Sequence, residues 1–290
     1  MPDKGISPLA QVKKLLRQAG LKARKSLGQH FLVDEAVLNT VVEAAELSPK
    51  DTVIEVGPGL GILTTELVNR AGDVVAVELD TKLASLLGRR LASLANLRVI
   101  NADILKVNLS QLLEGKGKYK VVANLPYYIT SPVLRHFVEA SPKPSLMVVM
   151  VQKEVGEAIV AGPGKMSMLA VSLQVYTEPR IISYVSAQSF YPEPKVDSAI
   201  LRFDILPEPR VKVADIDGFF QIVRCGFSLP RKQLHNSIAH GLGMEPTEVA
   251  SLLEQAHIDH KRRAETLSLE EWARLYEVLG TAKGEMNEVV

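Results

Sequence analysis

The stretch Glu55-Val-Gly-Pro-Gly-Leu-Gly-Ile62, followed by Val74-Val-Ala-Val-Glu78, holds the residues of this chain best suited to do chemistry. Glycines at 57, 59 and 61 remove Cβ atoms where a chain must turn sharply, and they let a ligand lie against the backbone. Glu78, at the tip of an apolar run, is placed to accept two hydrogen bonds from a ribose diol. Together they predict a site for an adenosine-containing cofactor. The spacing narrows the choice. A dinucleotide fingerprint needs G-x-G-x-x-G and a helix N-terminus facing a pyrophosphate. Here the pattern is G-x-G-x-G, with Glu55 just before it. That carboxylate repels a diphosphate and suits a cation, such as the sulfonium and amino group of S-adenosyl-L-methionine. A nicotinamide oxidoreductase is disfavoured on the same ground.

Two further clusters complete the set. In Asn101-Ala-Asp103-Ile104, Asp103 is placed to accept from the adenine amine of the cofactor while Ile104 packs against the ring. Asn124-Leu-Pro-Tyr127 sets an amide, a carbonyl before proline and an aromatic ring side by side. That combination forms a rigid polar edge beside a flat surface and suits a planar base with an exocyclic amine. The competing structural reading is an ordinary turn with two core tyrosines.

These residues need a scaffold that gathers strand ends. Apolar or β-branched runs at 52–56, 73–78, 97–102, 119–124 and 146–151 alternate with helical stretches, which predicts a parallel sheet covered by helices on both faces. Asp34 can cap a helix over 35–47. Segments near 180–186 and 196–205 read as two more strands, joined by the loop 189–195, giving a seven-stranded sheet. Ligands of such sheets gather at the carboxyl ends of the strands, where all the motifs above fall. After the stiff connector Leu206-Pro-Glu-Pro-Arg210, four short helices are expected at 215–227, 230–241, 246–257 and 268–280. The chain therefore divides into residues 1–210, an α/β domain with a basic N-terminal arm, and 211–290, a small all-α domain.

Composition bounds the function. Apolar content of 47% and charged content of 23% over 290 residues are those of a globular protein of one large and one small domain. Apolar runs are too short to span a bilayer, and one cysteine in the chain fits a reducing compartment, so a cytoplasmic, non-membrane protein is expected. Six scattered histidines show no ligand spacing, and no metal is expected. Net charge is only +1, but residues 1–25 carry seven Lys/Arg against one Asp. Lys22, Arg24 and Lys25 there, and Arg224, Arg231, Lys232, Arg262 and Arg263 later, are the candidate phosphate contacts.

Gln29-His30-Phe31-Leu32, the glycine segment, Glu78, Asn101-Ala-Asp103, Asn124-Leu-Pro-Tyr127 and Phe190-Tyr-Pro-Glu-Pro-Lys-Val-Asp-Ser198 occur in one order. In that order they resemble the bacterial ribosomal RNA small-subunit adenine N6,N6-dimethyltransferase family (KsgA/RsmA type). The resemblance runs from about residue 20 to 280 and includes Arg262-Arg-Ala-Glu-Thr-Leu-Ser-Leu-Glu-Glu271. It implies a class I methyltransferase Rossmann-like fold, S-adenosyl-L-methionine as cofactor, and dimethylation of two adjacent adenines near the 3′ end of 16S rRNA. The partner would be an immature small ribosomal subunit, met by a monomer. By the same resemblance His30 and Leu32 contact the methionine part of the cofactor, Gly57 lies beneath it, Glu78 holds the ribose, Asp103 the adenine, and Asn124 sits between cofactor and substrate. Leu125 supplies a carbonyl acceptor, and Tyr127 and Phe190 are the candidates for stacking the target base. A large-subunit rRNA methyltransferase and a non-catalytic assembly factor are the alternatives.

Overall fold

In the computed structural model of this chain, residues 7–24 and 28–288 are described, with side chains as far as residue 280. The expected phosphate contact Lys25 lies outside the described residues. The elements run α1 (Pro8–Gln18), β1 (Phe31–Leu32), α2 (Glu35–Ala44), β2 (Thr52–Val56), α3 (Ile62–Val68), β3 (Asp73–Glu78) and α4 (Thr81–Arg90). Then come β4 (Leu97–Asn101), α5 (Leu109–Leu112), β5 (Lys120–Asn124), α6 (Thr130–Glu139), β6 (Leu146–Gln152), α7 (Lys153–Val160) and α8 (Met168–Gln174). The last are β7 (Thr177–Val185), β8 (Phe190–Tyr191), β9 (Ser198–Ile205), α9 (Ile216–Phe227), α10 (Leu234–Leu242), α11 (Pro246–Gln255) and α12 (Leu269–Glu288).

Seven strands form one sheet in the order β4-β3-β2-β5-β6-β9-β7. The pairs β2·β3, β3·β4, β2·β5 and β5·β6 are parallel, and β9 runs antiparallel to β6. This is the mostly parallel, Rossmann-like sheet of the class I methyltransferases. The reason lies in the strands: every residue of β2 is buried, and β5 and β6 read Val-Val-Ala and Met-Val-Val-Met-Val, so both faces need cover. The chain winds outward from β2 to β4 and then returns to β5 on the other side of β2. The order reverses there, and the carboxyl ends of β2 and β5 open a crevice. Glu55 and Asn124 stand at that crevice, one near each strand end.

The chain divides into two compact units, residues 1–157 with 178–205, and residues 158–177 with 206–290. In the first, α1 is a docked helix: Val12 and Leu16 are buried in a cluster with Phe31, Leu60 and Leu83. Asp34 caps α2 by accepting from Ala36 N at 3.0 Å, as its sequence position predicts. The helix stops at Ala44 rather than 47. Glu46 has a positive φ of 47° and is held there by Arg202, which also binds Ala44 O at 2.9 Å. A two-stranded sheet, β1 antiparallel to β8, ties Phe31-Leu32 to Phe190-Tyr191; neither strand is long enough to read from sequence alone.

The second unit is helical. Trp272, Phe219, Val223, Leu234, Leu253 and Leu275 are buried in it, and burial of each large side chain contributes about 1.5–3 kcal/mol. Residues 158–177 belong here because α8 packs against α9 and the Tyr176 ring lies 6.0 Å from Phe220. A division drawn at residue 210 does not anticipate that grouping. The first turn expected at 230 is non-helical, and α10 begins only at Leu234.

Candidate active site

The glycine segment forms the turn between β2 and α3, and all three glycines have positive φ, 66° at Gly57, 57° at Gly59 and 75° at Gly61. At Gly61 a Cβ would come within 2.3 Å of the Leu87 side chain, so both backbone and space demand glycine. At Gly59 a Cβ would meet the Phe31 ring at 3.0 Å. Gly57 N donates to Val77 O at 2.9 Å, which fastens the turn to β3. Gly59 N then donates to Glu78 Oε2 at 3.0 Å, and Asp80 N donates to Glu78 Oε1 at 2.8 Å. Each oxygen keeps a lone pair for an incoming hydroxyl. Burial raises the Glu78 pKa, opposed by those two N–H groups.

Glu55 is the anomaly of the site. Its side chain is 1% exposed, and Oε2 has no hydrogen-bond partner among the described residues. Burial pushes its pKa up to about 8; the Thr64 hydroxyl pulls it down and the Glu78 charge adds to the rise. A buried carboxyl with an oxygen left unpaired is costly unless something balances it. A cation entering the cavity would do so, which is the fit expected of an amino group and sulfonium and not of a diphosphate.

On the next strand, Asp103 Oδ1 accepts from Leu105 N at 3.1 Å as the cap of a short 3-10 turn over Ile104–Lys106. Oδ2 has no hydrogen-bond partner among the described residues, Asp103 lines the cavity, and Ile104 is buried in its wall. Leu79, absent from the sequence reading, is 50% exposed and lines the same cavity. An apolar residue directly after the carboxylate at a strand tip is the signal that could have found it.

Asn124 ends β5. Its Nδ2 donates to His30 O at 3.0 Å, so the amide is oriented and Oδ1 is left as an acceptor. Leu125 N donates to Met150 O at 3.1 Å, continuing the β5·β6 ladder one residue past the strand. The Leu125 carbonyl precedes Pro126, so its peptide has an acceptor and no N–H. The Tyr127 hydroxyl is 2.7 Å from Ser198 Oγ, and its ring stacks on His30 with centroids 5.8 Å apart and planes 21° apart. His30 Nδ1 lies 2.6 Å from Pro192 O. His30 therefore touches Asn124, Tyr127 and the loop after β8 at once, a connection no spacing rule reveals. Tyr128, 54% exposed, also lines the cavity, and burial with the Glu78 and Asp103 charges raises its pKa.

His30, Leu32, Glu55, Gly57, Gly59, Glu78, Asp103, Ile104, Asn124, Leu125 and Tyr127 all line one cavity. Phe190 does not. It is 4% exposed and packs behind the wall in a cluster with Leu32, Val41 and Met150. Pairing of β8 with β1 turns its ring into the core, so the expectation that it stacks the target base is corrected: it buttresses the wall.

The basic residues divide likewise. Lys22, Arg224, Arg231, Lys232 and Arg263 are exposed, and none makes an ion pair among the described residues. Arg24 lies 3.4 Å from Asp80, the residue that donates to Glu78. Arg262 is consumed by structure. Its guanidinium grips Glu271 at 2.6 and 3.0 Å and Thr266 O at 2.6 Å, and those bonds hold its pKa up and that of Glu271 down. It is corrected from phosphate contact to a clamp within the helical unit. No group of three or more His, Cys, Asp or Glu among the described residues is placed to hold a metal. No described helix is long and apolar enough to cross a membrane.

Comparison with known proteins gives three findings. The profile of a family described as ribosomal RNA adenine dimethylase matches residues 20–279. A protein of Dehalococcoides mccartyi (strain ATCC BAA-2266 / KCTC 15142 / 195), named ribosomal RNA small subunit methyltransferase A, is 51% identical over 269 residues, spanning 93% of this chain and 92% of its own. Among solved structures, the 23S rRNA methyltransferase ErmE matches with a TM-score of 0.67 at 30% identity, over 86% of this chain and 99% of that one. A dimethyladenosine transferase from Plasmodium falciparum matches with a TM-score of 0.71 over 88% and 98%; at 24% identity it speaks for the fold.

Proposed function

This chain belongs to the ribosomal RNA adenine dimethylase family, and from that premise we propose that it uses S-adenosyl-L-methionine to dimethylate two adjacent adenines near the 3′ end of 16S rRNA. The rRNA is met within an immature small ribosomal subunit, and the enzyme acts as a monomer in the cytoplasm. Support for the small-subunit RNA is the 51% identity to a relative of that name, against 30% to a large-subunit enzyme. The observation that carries the chemistry is the Asn124 amide, held by His30 O so that its oxygen is left as an acceptor, in the same cavity as the buried Glu55 carboxyl, whose Oε2 is unpaired.

Glu78 would hold the ribose, Asp103 Oδ2 the adenine amine, and Ile104 and Leu79 the faces of the adenine. Glu55 balances the cationic end, with Leu32, Gly57 and Gly59 as walls. When bound, S-adenosyl-L-methionine supplies an electrophilic methyl group on a positively charged sulfur. The remaining steps belong to the protein. An adenine amine is a weak nucleophile because its lone pair is delocalised into the ring. Asn124 Oδ1 and the Leu125 carbonyl accept its two hydrogens, which draws the nitrogen toward a pyramidal shape and frees the lone pair. Tyr127 holds the base by stacking, worth about 1–3 kcal/mol. Its hydroxyl is committed to Ser198, and burial raises its pKa, so it stays a neutral phenol and not a base. Orientation and fixed dipoles carry the catalysis, and the departing proton passes to water. The base must leave its stack to enter. Lys22, Arg224, Arg231, Lys232 and Arg263 bind RNA phosphates.

The test is incubation of the protein with a labelled methyl donor and immature small subunits, followed by nucleoside digestion and mapping. Label in N6,N6-dimethyladenosine at two adjacent small-subunit positions is expected. Label in large-subunit rRNA, or none in adenine, overturns the reading.

A further inference from the structure

The wall of the site continues into a patch outside the cavity. β9 enters the sheet antiparallel to β6, and Gln152 pairs with Ser198. The start of β9 and the start of α7 therefore stand at the sheet edge where β5 delivers Asn124. Lys153 N donates to Asp197 O at 3.0 Å, and the next residue, Ser198, holds the Tyr127 hydroxyl. Lys153 places its ammonium 5.1 Å from the centroid of the Tyr184 ring. Tyr184 lies on β7, the edge strand, and is 53% exposed. Its hydroxyl donates to Glu157 at 3.2 Å, which fixes the ring against α7. Ile182, two residues back on the same face, and Val196 are also exposed. Lys195 is exposed, and neither lysine makes an ion pair among the described residues.

An exposed aromatic ring, held at its hydroxyl, with one cation over one of its faces and a second nearby, neither of them in an ion pair among the described residues, is what a single-stranded nucleic acid needs. Bases stack on the ring, and ammonium groups meet the phosphates. A target adenine that leaves its stack exposes its neighbours, which need a surface of their own. We infer that Tyr184, Lys153 and Lys195 form a docking platform for a single-stranded RNA nucleotide flanking the target adenine. Tyr184 stacks its base and the two lysines take the adjoining phosphates. The platform rests on the rRNA reading above, and its link to the site is the short run Lys153–Asp197–Ser198–Tyr127.

The experiment measures binding of the full chain to immature small subunits over a range of salt, with steady-state methylation alongside. Tyr184→Ala is expected to raise Kd and KM about 5- to 100-fold, with kcat and the Kd for S-adenosyl-L-methionine within twofold of the parent protein. Tyr184→Phe keeps the stacking face but loses the hydroxyl's hold on Glu157, so its Kd should fall between those of the parent and Tyr184→Ala. Lys153→Gln with Lys195→Gln should reduce the salt slope by about two. A ring that merely closes α7 on β7 would lower the melting temperature in Tyr184→Ala and leave RNA affinity unchanged. Kd within twofold of the parent in Tyr184→Ala and in the double lysine variant overturns the platform. If Tyr184→Ala does not fold, the lysine variant decides. Failure of the parent protein to bind small-subunit RNA would remove the rRNA reading and the platform together; normal binding with indifferent variants removes only the platform.

Discussion

Replacing Glu55 by Gln tests the reading of the cofactor end most sharply. Burial holds this carboxyl protonated near neutrality, with a pKa of about 8. A cationic ligand is balanced only by the ionised form, so binding must displace the proton. At pH 7 a carboxyl of that pKa is ~90% protonated, and binding of S-adenosyl-L-methionine should release ~0.9 proton. Affinity should then rise about ninefold from pH 6 to pH 7, below the range in which the ligand's own amino group titrates. Folding carries the matching sign. The folded pKa lies above the ordinary 4.5, so the native state binds the extra proton, and the unliganded protein loses stability as pH rises from about 4.5 toward 8. Glu55→Gln should abolish the proton release, flatten the affinity profile between pH 6 and 7, and remove that loss of stability. Calorimetry in buffers of different ionisation enthalpy counts the proton directly. No proton released by the parent protein, with parallel affinity profiles for parent and variant, would refute the reasoning.

Other expectations follow from the same geometry. Glu78→Ala removes the acceptor that Gly59 and Asp80 hold in place; cofactor Kd, read by calorimetry, should rise at least about 10- to 150-fold, the value of one hydrogen bond to a charged group. Gly61→Ala forces a side chain onto a backbone at φ 75° and against Leu87, and denaturant melts should show a loss of about 1–3 kcal/mol. Arg262→Ala should cost about 1–3 kcal/mol of stability through the lost Glu271 clamp. Arg231→Gln with Lys232→Gln should instead leave the melt unchanged and reduce the salt slope of RNA binding by about two.

The sheet and the cofactor end of the site were legible because their signals are local. Apolar and β-branched runs mark β2, β5 and β6, and the proposed site residues of the first two fall at or near their tips, Glu55 on β2 and Asn124 on β5. Glycine spacing with Glu55 before it and Glu78 after it encodes a turn whose positive φ values favour glycine, and at Gly61 the nearby Leu87 side chain leaves no room for a Cβ. What escaped depends on distant pairing. Phe190 reads as an exposed aromatic in a proline-rich loop, yet pairing of β8 with β1 turns it inward. Arg262 reads as one of three basic neighbours, yet Glu271 and Thr266 absorb its donors. The hold of His30 O on the Asn124 amide joins residues 94 apart, and no periodicity predicts it. Residues 158–177 look like an ordinary crossover, and only the partner of α8 assigns them to the helical unit.

The most direct measurement of the central claim is single-turnover methyl transfer by Asn124→Ala, with cofactor and immature small subunits both saturating. The bond from Asn124 Nδ2 to His30 O fixes the amide and leaves Oδ1 as an acceptor in the cavity. Its loss should slow the chemical step about 100- to 1,000-fold, as removal of one preorganised hydrogen-bonding group does elsewhere, with the cofactor Kd within a few-fold. A single-turnover rate equal to that of the parent protein would contradict the account.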